Sequence, residues 1–234
     1  CIANDLWDRR FDKKVTRTEN RPLAKGSINI KTGYFLLFFM LSISLIVVYL
    51  LPIESRDLCI RLSIISIFPI LIYPSTKRWF KFPQIILAIC WGFSVLIPWA
   101  ATESNLAGGI PLLSCWLGTC LWTFGFDTVY AMSDKEDDKR IGLNSSALTL
   151  NEKANYIVSI CYALTSVCLG ISAYYAGVKW IFWILLFLVS IISQNEVMRL
   201  KVNGVRSGIY SIHFKNQVIL GAILLFALII SRVN

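Results

Sequence analysis

The stretch Gly33–Pro52, GYFLLFFMLSISLIVVYLLP, contains no charged side chain. About twenty apolar residues, rising 1.5 Å each as a helix, cross the roughly 30 Å hydrocarbon core of a bilayer. Runs of the same kind recur at 58–74, 83–101, 108–126, 154–176, 178–195 and 214–231, which makes seven spans. The run at 58–74 is the least regular, being interrupted by Arg61 and Pro69. Lipid offers no partner to an open backbone N–H or C=O, so each span is expected to be a helix. The fold class that follows is all-α, a polytopic transmembrane helical bundle. Composition agrees: 56% of the 234 residues are hydrophobic and 16% charged, against about 25% charged in a soluble domain.

The polar connections then alternate sides. Segments 1–31, 75–82, 127–153 and 196–215 share one face; 53–57, 102–107, 177–179 and the C-terminus share the other. Of the 23 Lys and Arg, 19 lie on the first face, together with 11 of the 14 acids. The positive-inside rule assigns that face to the cytoplasm. The net charge of +9 therefore reflects topology and gives no indication of nucleic acid. It supplies a local basic field that attracts an anionic substrate.

Two acidic segments interrupt this lipid-like chain, NDLWDRRFD at 4–12 and DTVYAMSDKEDD at 127–138. Clustered carboxylates repel one another and are costly near a membrane unless cations hold them. Asn4, Asp8 and Asp12 are spaced i, i+4, i+8, and Asp5 precedes Asp8 by three. Asp127, Tyr130, Asp134 and Asp138 are likewise three or four apart. On helices, each set lines one face. Two such faces turned toward each other make a cage of hard oxygen ligands, suited to Mg²⁺ that keeps its waters and is shared with a phosphate substrate. Arg9, Lys13, Lys14, Arg17 and Arg21 flank the first segment, Lys77 and Arg78 occupy the next loop on that face, and Lys135, Lys139 and Arg140 accompany the second. Taken singly, each of these cations is more often a topology determinant or lipid contact. Together with paired acids they suit a diphosphate.

Other features carry less. The seven cysteines form no CxxC pair, and most lie in apolar runs where Cys packs as a small hydrophobe. His213, the one histidine, is expected to cap or border a helix start. Gly204 and Gly208 mark a turn. There is no Gly-rich phosphate loop, nucleophile elbow or HExxH. One domain, 1–234, is expected. The chain begins with Cys1 in place of Met, and an upstream portion is expected to precede it.

CIANDLWDRRFDKKVTRTENRPLAKG (1–26) and FDTVYAMSDKEDDKRIGLNSSAL (126–148) closely resemble the two signature motifs of the UbiA superfamily of intramembrane prenyltransferases. YPSTKRWFKFPQIILAICWGFSVLIPWAA (73–101) and HFKNQVILG (213–221) are similar to the intermediate loop and last span of its 4-hydroxybenzoate polyprenyltransferase branch. Ala88, where the branch often has Gly, and Asn144, where Lys is common, depart from the pattern without touching a carboxylate. The resemblance implies nine helices around a central cavity open to the cytoplasm. The first helix and most of the second would then lie upstream of this sequence.

The resemblance also implies roles. Asn4 and Asp8, with Asp134 and Asp138, would hold Mg²⁺ and the diphosphate, assisted by Asp5, Asp12 and Asp137. Arg9 and Arg78, then Lys77 and Lys135, would contact the diphosphate. Asp127 and Tyr130, nearer the membrane, would act with Asp134 in catalysis by orienting the isoprenoid or acceptor. The implied substrates are a polyprenyl diphosphate and 4-hydroxybenzoate, with membrane lipid around the protein and no obligate protein partner. The implied setting is quinone biosynthesis in the bacterial inner membrane, with the active site facing the cytoplasm. Trp7, Trp99-Ala100-Ala101 and the 134–138 acids lean toward a plastoquinone-type enzyme with a solanesyl-like donor. Homogentisate or dihydroxynaphthoate as acceptor stays open, as does a cation transporter, whose acids should sit at mid-bilayer.

Overall fold

Each of the seven apolar runs is helical and long enough to span a bilayer. The computed structural model describes residues 2–203 and 208–233; Cys1 and the position of Gly204 lie outside the described residues. In order, the helices are α1 (Ile2–Asp12), α2 (Pro22–Lys25), α3 (Ile30–Tyr49), α4 (Ile53–Thr76), α5 (Pro83–Glu103), α6 (Gly109–Met132), α7 (Lys135–Ile141), α8 (Ser146–Leu150), α9 (Ala154–Tyr175), α10 (Trp180–Asn203) and α11 (Ile209–Val233). No strand occurs among the described residues. Large apolar side chains point outward, with Phe35 66% and Phe38 73% exposed. A helix surrounded by water would hide that stripe; here lipid receives it. The protein is a multi-pass integral membrane protein.

The chain divides into two units, one formed by the residues up to Leu106 with Asp134–Ser145, the other by Ala107–Ser133 with the chain from Ser146 onward. In the first unit, α4 runs without interruption through Pro69 and Pro74, extending past both ends of the run at 58–74. Each proline removes a helical donor. The last turn is closed by the hydroxyls of Ser75 and Thr76, which donate to the carbonyls of Ile72 and Tyr73 at 2.7 and 2.6 Å. α4 packs on α5 through Cys59, Leu62 and Ala100. Gly33 lets the short polar helices dock on α3: a Cβ there would lie 2.9 Å from a Leu6 methyl and 3.1 Å from one of Leu23. That contact fixes α1, and with it the first acidic segment.

In the second unit, small residues let α6 and α9 approach closely. A Cβ on Gly125 would lie 2.7 Å from the Tyr162 ring, and one on Gly118 3.1 Å from Cys168 Cβ. The hydroxyls of Thr128 and Ser146 meet at 2.7 Å. His213 is not a helix cap, contrary to expectation. It is 1% exposed, 2.8 Å from the Tyr162 hydroxyl through Nε2, with Glu196 3.8 Å from Nδ1. A burying environment with a phenol partner removes it from any interfacial role.

Candidate active site

α1 is helical over the whole first acidic segment, so Asn4, Asp8 and Asp12 share a face as their spacing predicts. Asp8 and Asp12 are buried. Arg78 Nη2 donates to Asp8 Oδ1 at 3.0 Å, and Lys77 Nζ stands 4.0 Å from Oδ2. The Arg78 guanidinium also lies over the Phe11 ring, 4.7 Å from its centroid. Arg21 Nη1 bridges Asp5 at 2.8 Å and Asp12 at 3.3 Å. Burial pushes the Asp8 and Asp12 carboxyls above their ordinary range, against the pull of Lys77 and Arg78 on Asp8 and of Arg21 on Asp12.

The second acidic segment departs from the expected single face. α6 ends at Met132 and α7 begins at Lys135, with Asp134 between them as the N-cap of α7. Asp127 and Tyr130 therefore belong to α6 and the second unit, Asp134 and Asp138 to the first. The break has a local cause. The Ser133 hydroxyl and backbone N–H both donate to the Tyr130 carbonyl, at 2.6 and 3.1 Å, which tightens the turn and ends the α-helical ladder. Tyr130 packs against Phe214, ring centroids 5.1 Å apart.

The connection after α1 clasps this segment. Arg17 forks onto Asp134, its Nε 2.8 Å from Oδ1 and its Nη2 on Oδ2. The Thr16 backbone N–H donates to Asp137 Oδ2 at 2.9 Å and Arg140 to Oδ1 at 2.8 Å; the Thr16 N–H above all holds Asp137 below the usual carboxylate range. Asp138 is buried, and burial pushes its carboxyl up to about 7 although Lys77 opposes the shift. Lys77 acts on Asp8, Asp12 and Asp138 together, and its carbonyl accepts from Asn144 N at 2.7 Å. One ammonium thus stands among carboxylates of both segments.

Whether these residues suit Mg²⁺ is decided by their donors. Among the described residues no three acidic, His or Cys side chains converge as a closed metal cage. Mg²⁺ does not ask for one: it takes one or two carboxylates and completes its octahedron with waters and substrate phosphate oxygens. Asn4 Oδ1 is buried without a hydrogen-bond partner, which leaves an amide oxygen ready for a cation or its water. Asp8 and Asp138 are buried acceptors with Lys77 as the standing positive charge. The residues fit.

Of the sequence-predicted residues, the structure gathers Asn4, Asp5, Asp8, Asp12, Lys77, Arg78, Asp134, Asp137 and Asp138 in one unit with Lys135. Arg9, half-buried on α1, makes no ion pair among the described residues. The sequence reading underrates Arg17 and Arg21 and misses the Thr16 N–H. The four-residue step Lys13, Arg17, Arg21 is the one signal that singles the two arginines out.

The model of the UbiA prenyltransferase family matches residues 1–204. The chain belongs to that family. It is 37% identical over 231 residues to a 4-hydroxybenzoate solanesyltransferase of Synechocystis sp., covering 98% of this chain and 77% of that one. It is 32% identical over 201 residues to a 4-hydroxybenzoate octaprenyltransferase of Neisseria meningitidis serogroup B, covering 86% of this chain and 66% of the relative. The chain thus spans about two thirds to three quarters of the length of these relatives. The fold is that of the apo UbiA homolog from Aeropyrum pernix K1, with TM-score 0.73 at 22% identity over 96% of this chain and 82% of that one. A digeranylgeranylglyceryl phosphate synthase structure matches at TM-score 0.67 and 19% identity, over 98% of this chain and 79% of that one. The all-helical architecture and the prenyltransferase motifs therefore belong to one family fold.

Proposed function

We propose that the chain is the Mg²⁺-dependent enzyme that moves a polyprenyl group from an allylic polyprenyl diphosphate to the 3-position of 4-hydroxybenzoate, in quinone biosynthesis. The observation that carries this reading is the arrangement around Lys77: carboxylates from two segments far apart in sequence, interleaved with Arg17, Arg21 and Arg78. The names of the 4-hydroxybenzoate relatives support the acceptor, and the Synechocystis one supports a solanesyl-length donor. We read residues 1–234 as one prenyltransferase domain with its cavity open to the cytoplasm, in a bacterial inner membrane, working without an obligate protein partner and without nucleic acid.

The chain's own groups account for most of the chemistry. Asn4, Asp8, Asp134 and Asp138 would hold the ions, with Asp5, Asp12 and Asp137 beside them. Mg²⁺, when bound, supplies positive charge that lowers the cost of diphosphate departure. Lys77, Arg78 and Arg17 now rest on carboxylates; with a diphosphate present they have phosphate oxygens to meet as the leaving group gains negative charge. Arg9 and Lys135 add to that field. The allyl cation that results needs dry, aromatic surroundings until the ring carbon ortho to the phenol attacks it; loss of the ring proton then restores aromaticity. Tyr130 and Asp127 orient the isoprenoid or acceptor from α6.

Membranes containing the protein, incubated with radiolabelled 4-hydroxybenzoate, a solanesyl-length diphosphate and Mg²⁺, should yield labelled lipid. Asp8→Ala and Asp134→Ala should abolish it, and EDTA should do the same reversibly. Absence of labelled lipid from the unaltered protein, or equal labelling by both variants, would overturn the proposal.

A further inference from the structure

A lateral groove of about 760 Å³ lies on the second unit, far along α9 and α10 from their polar ends. α9 lines it with Val167, Gly170, Ile171 and Tyr174, α10 with Trp183 and Phe187. The spacing explains the shape: Val167, Gly170, Ile171 and Tyr174 follow i, i+3, i+4, i+7, and Trp183 and Phe187 are four apart, so each helix contributes one face. Gly170 leaves the floor open, since a Cβ there would merely touch Trp183 and Leu186 at 3.5 and 3.6 Å. The walls are accessible, with Tyr174 73% and Phe187 65% exposed, and both helices are membrane spans. The groove therefore opens on a part of the chain that spans the membrane.

One end of the groove adjoins the connection between α9 and α10, since Tyr174 and Tyr175 end α9 and Trp183 lies in the first turn of α10. Lys179 is the residue before α10, and its carbonyl accepts from the Phe182 N–H at 3.1 Å. Tyr174, Tyr175, Trp180 and Trp183 cluster in sequence around this connection, as aromatic residues do at headgroup depth. Lys179 is also one of four cations on the cation-poor side of the chain, so topology does not explain it. Two of the other three are engaged, Arg56 on the Leu51 carbonyl and Arg61 on Asp57. Lys179 is exposed and makes no ion pair among the described residues.

We propose that this groove binds one acyl chain of an anionic phospholipid, with the Lys179 ammonium meeting its phosphate. The apolar walls select a chain and the single cation at headgroup level selects the charge. A Lys beside an anionic headgroup favours it by roughly fivefold.

The test uses the full chain reconstituted in vesicles of phosphatidylcholine or phosphatidylglycerol with brominated acyl chains, reading the fluorescence component lost in Trp183→Phe. Brominated phosphatidylglycerol should quench Trp183 at about fivefold lower mole fraction than brominated phosphatidylcholine. Lys179→Gln should bring the two lipids level, while Gly170→Phe should weaken quenching by both. Val167→Phe, on the exposed rim, should do the same without touching the core. Equal quenching by the two lipids in the unaltered protein, or an unchanged preference in Lys179→Gln, would overturn the proposal. So would displacement of the brominated lipid by a long polyprenyl diphosphate, which would make the groove an isoprenoid site. Quenching that falls as protein density rises would assign the groove to a second copy instead.

Discussion

The Nε of Arg17 lies 2.8 Å from Oδ1 of Asp134, a residue 117 positions further along the chain. With Nη2 on the other oxygen, the guanidinium grips the carboxylate as a fork, the geometry lysine cannot reproduce. Arg17 thereby joins the two acidic segments before any substrate arrives. Arg17→Ala should raise KM for the allylic diphosphate about tenfold, since a half-exposed charge pair is worth less than a buried one. Arg17→Lys should recover less than half of that loss. A KM for diphosphate unchanged in Arg17→Ala would remove Arg17 from the site.

Asp8 is the carboxylate that both Lys77 and Arg78 address. Burial raises its carboxyl even against the pull of those two cations, so the cost of desolvation outweighs what the pairing returns. Asp8→Asn keeps the shape and removes the charge. Prenyl transfer should fall on the order of a hundredfold, the scale of losing one electrostatic group at a reacting centre. The melting temperature in detergent should stay level or rise. A matching fall in both would make Asp8 a structural residue.

Asp138 sets a pH dependence of the metal-free protein. Its carboxyl titrates near 7 in the fold against an ordinary 3.8. Between those values the folded chain binds a proton that the unfolded chain has lost, so stability falls as pH rises from about 4 to about 7 and levels off above. Asp8 and Asp12 are shifted the same way. Melting temperatures in EDTA should therefore decline across that window, and Asp138→Asn should make the decline shallower. A steeper decline in the variant would contradict the burial of Asp138.

The spans were legible because the physics that forces them is a length and a polarity, both visible in one dimension. Their ends were less so. Glu54, Arg56 and Asp57 read as a loop, yet α4 starts at Ile53 because the Ser55 and Arg56 N–H groups find the Pro52 carbonyl at 3.2 and 3.0 Å. The helical face of the first acidic segment was readable from its spacing. The face assigned to the second was not, because a serine hydroxyl ends α6 one turn early. Arg17 and His213 were opaque for one reason: their partners, Asp134 and Tyr162, are distant in sequence, and periodicity carries no information about which remote residue a side chain meets.

Tyr162 shows how tightly that second unit is determined. Its ring closes on Gly125, where an added Cβ would lie 2.7 Å from Cε1, while its hydroxyl is tied to His213 Nε2 at 2.8 Å. The ring cannot retreat from a larger residue at 125 without giving up that bond, and His213 is fully buried, where an unmade hydrogen bond is costly. Gly125→Ala should therefore destabilise the protein by about 1–3 kcal/mol, and Tyr162→Leu by a comparable amount through the lost packing and the orphaned histidine. In the double variant the methyl and the shortened side chain no longer collide, so the two losses should add to less than their sum by about 1 kcal/mol or more. Thermal unfolding in detergent of the four proteins measures the coupling. Strict additivity would mean that the ring yields freely, and that the glycine is there for another reason.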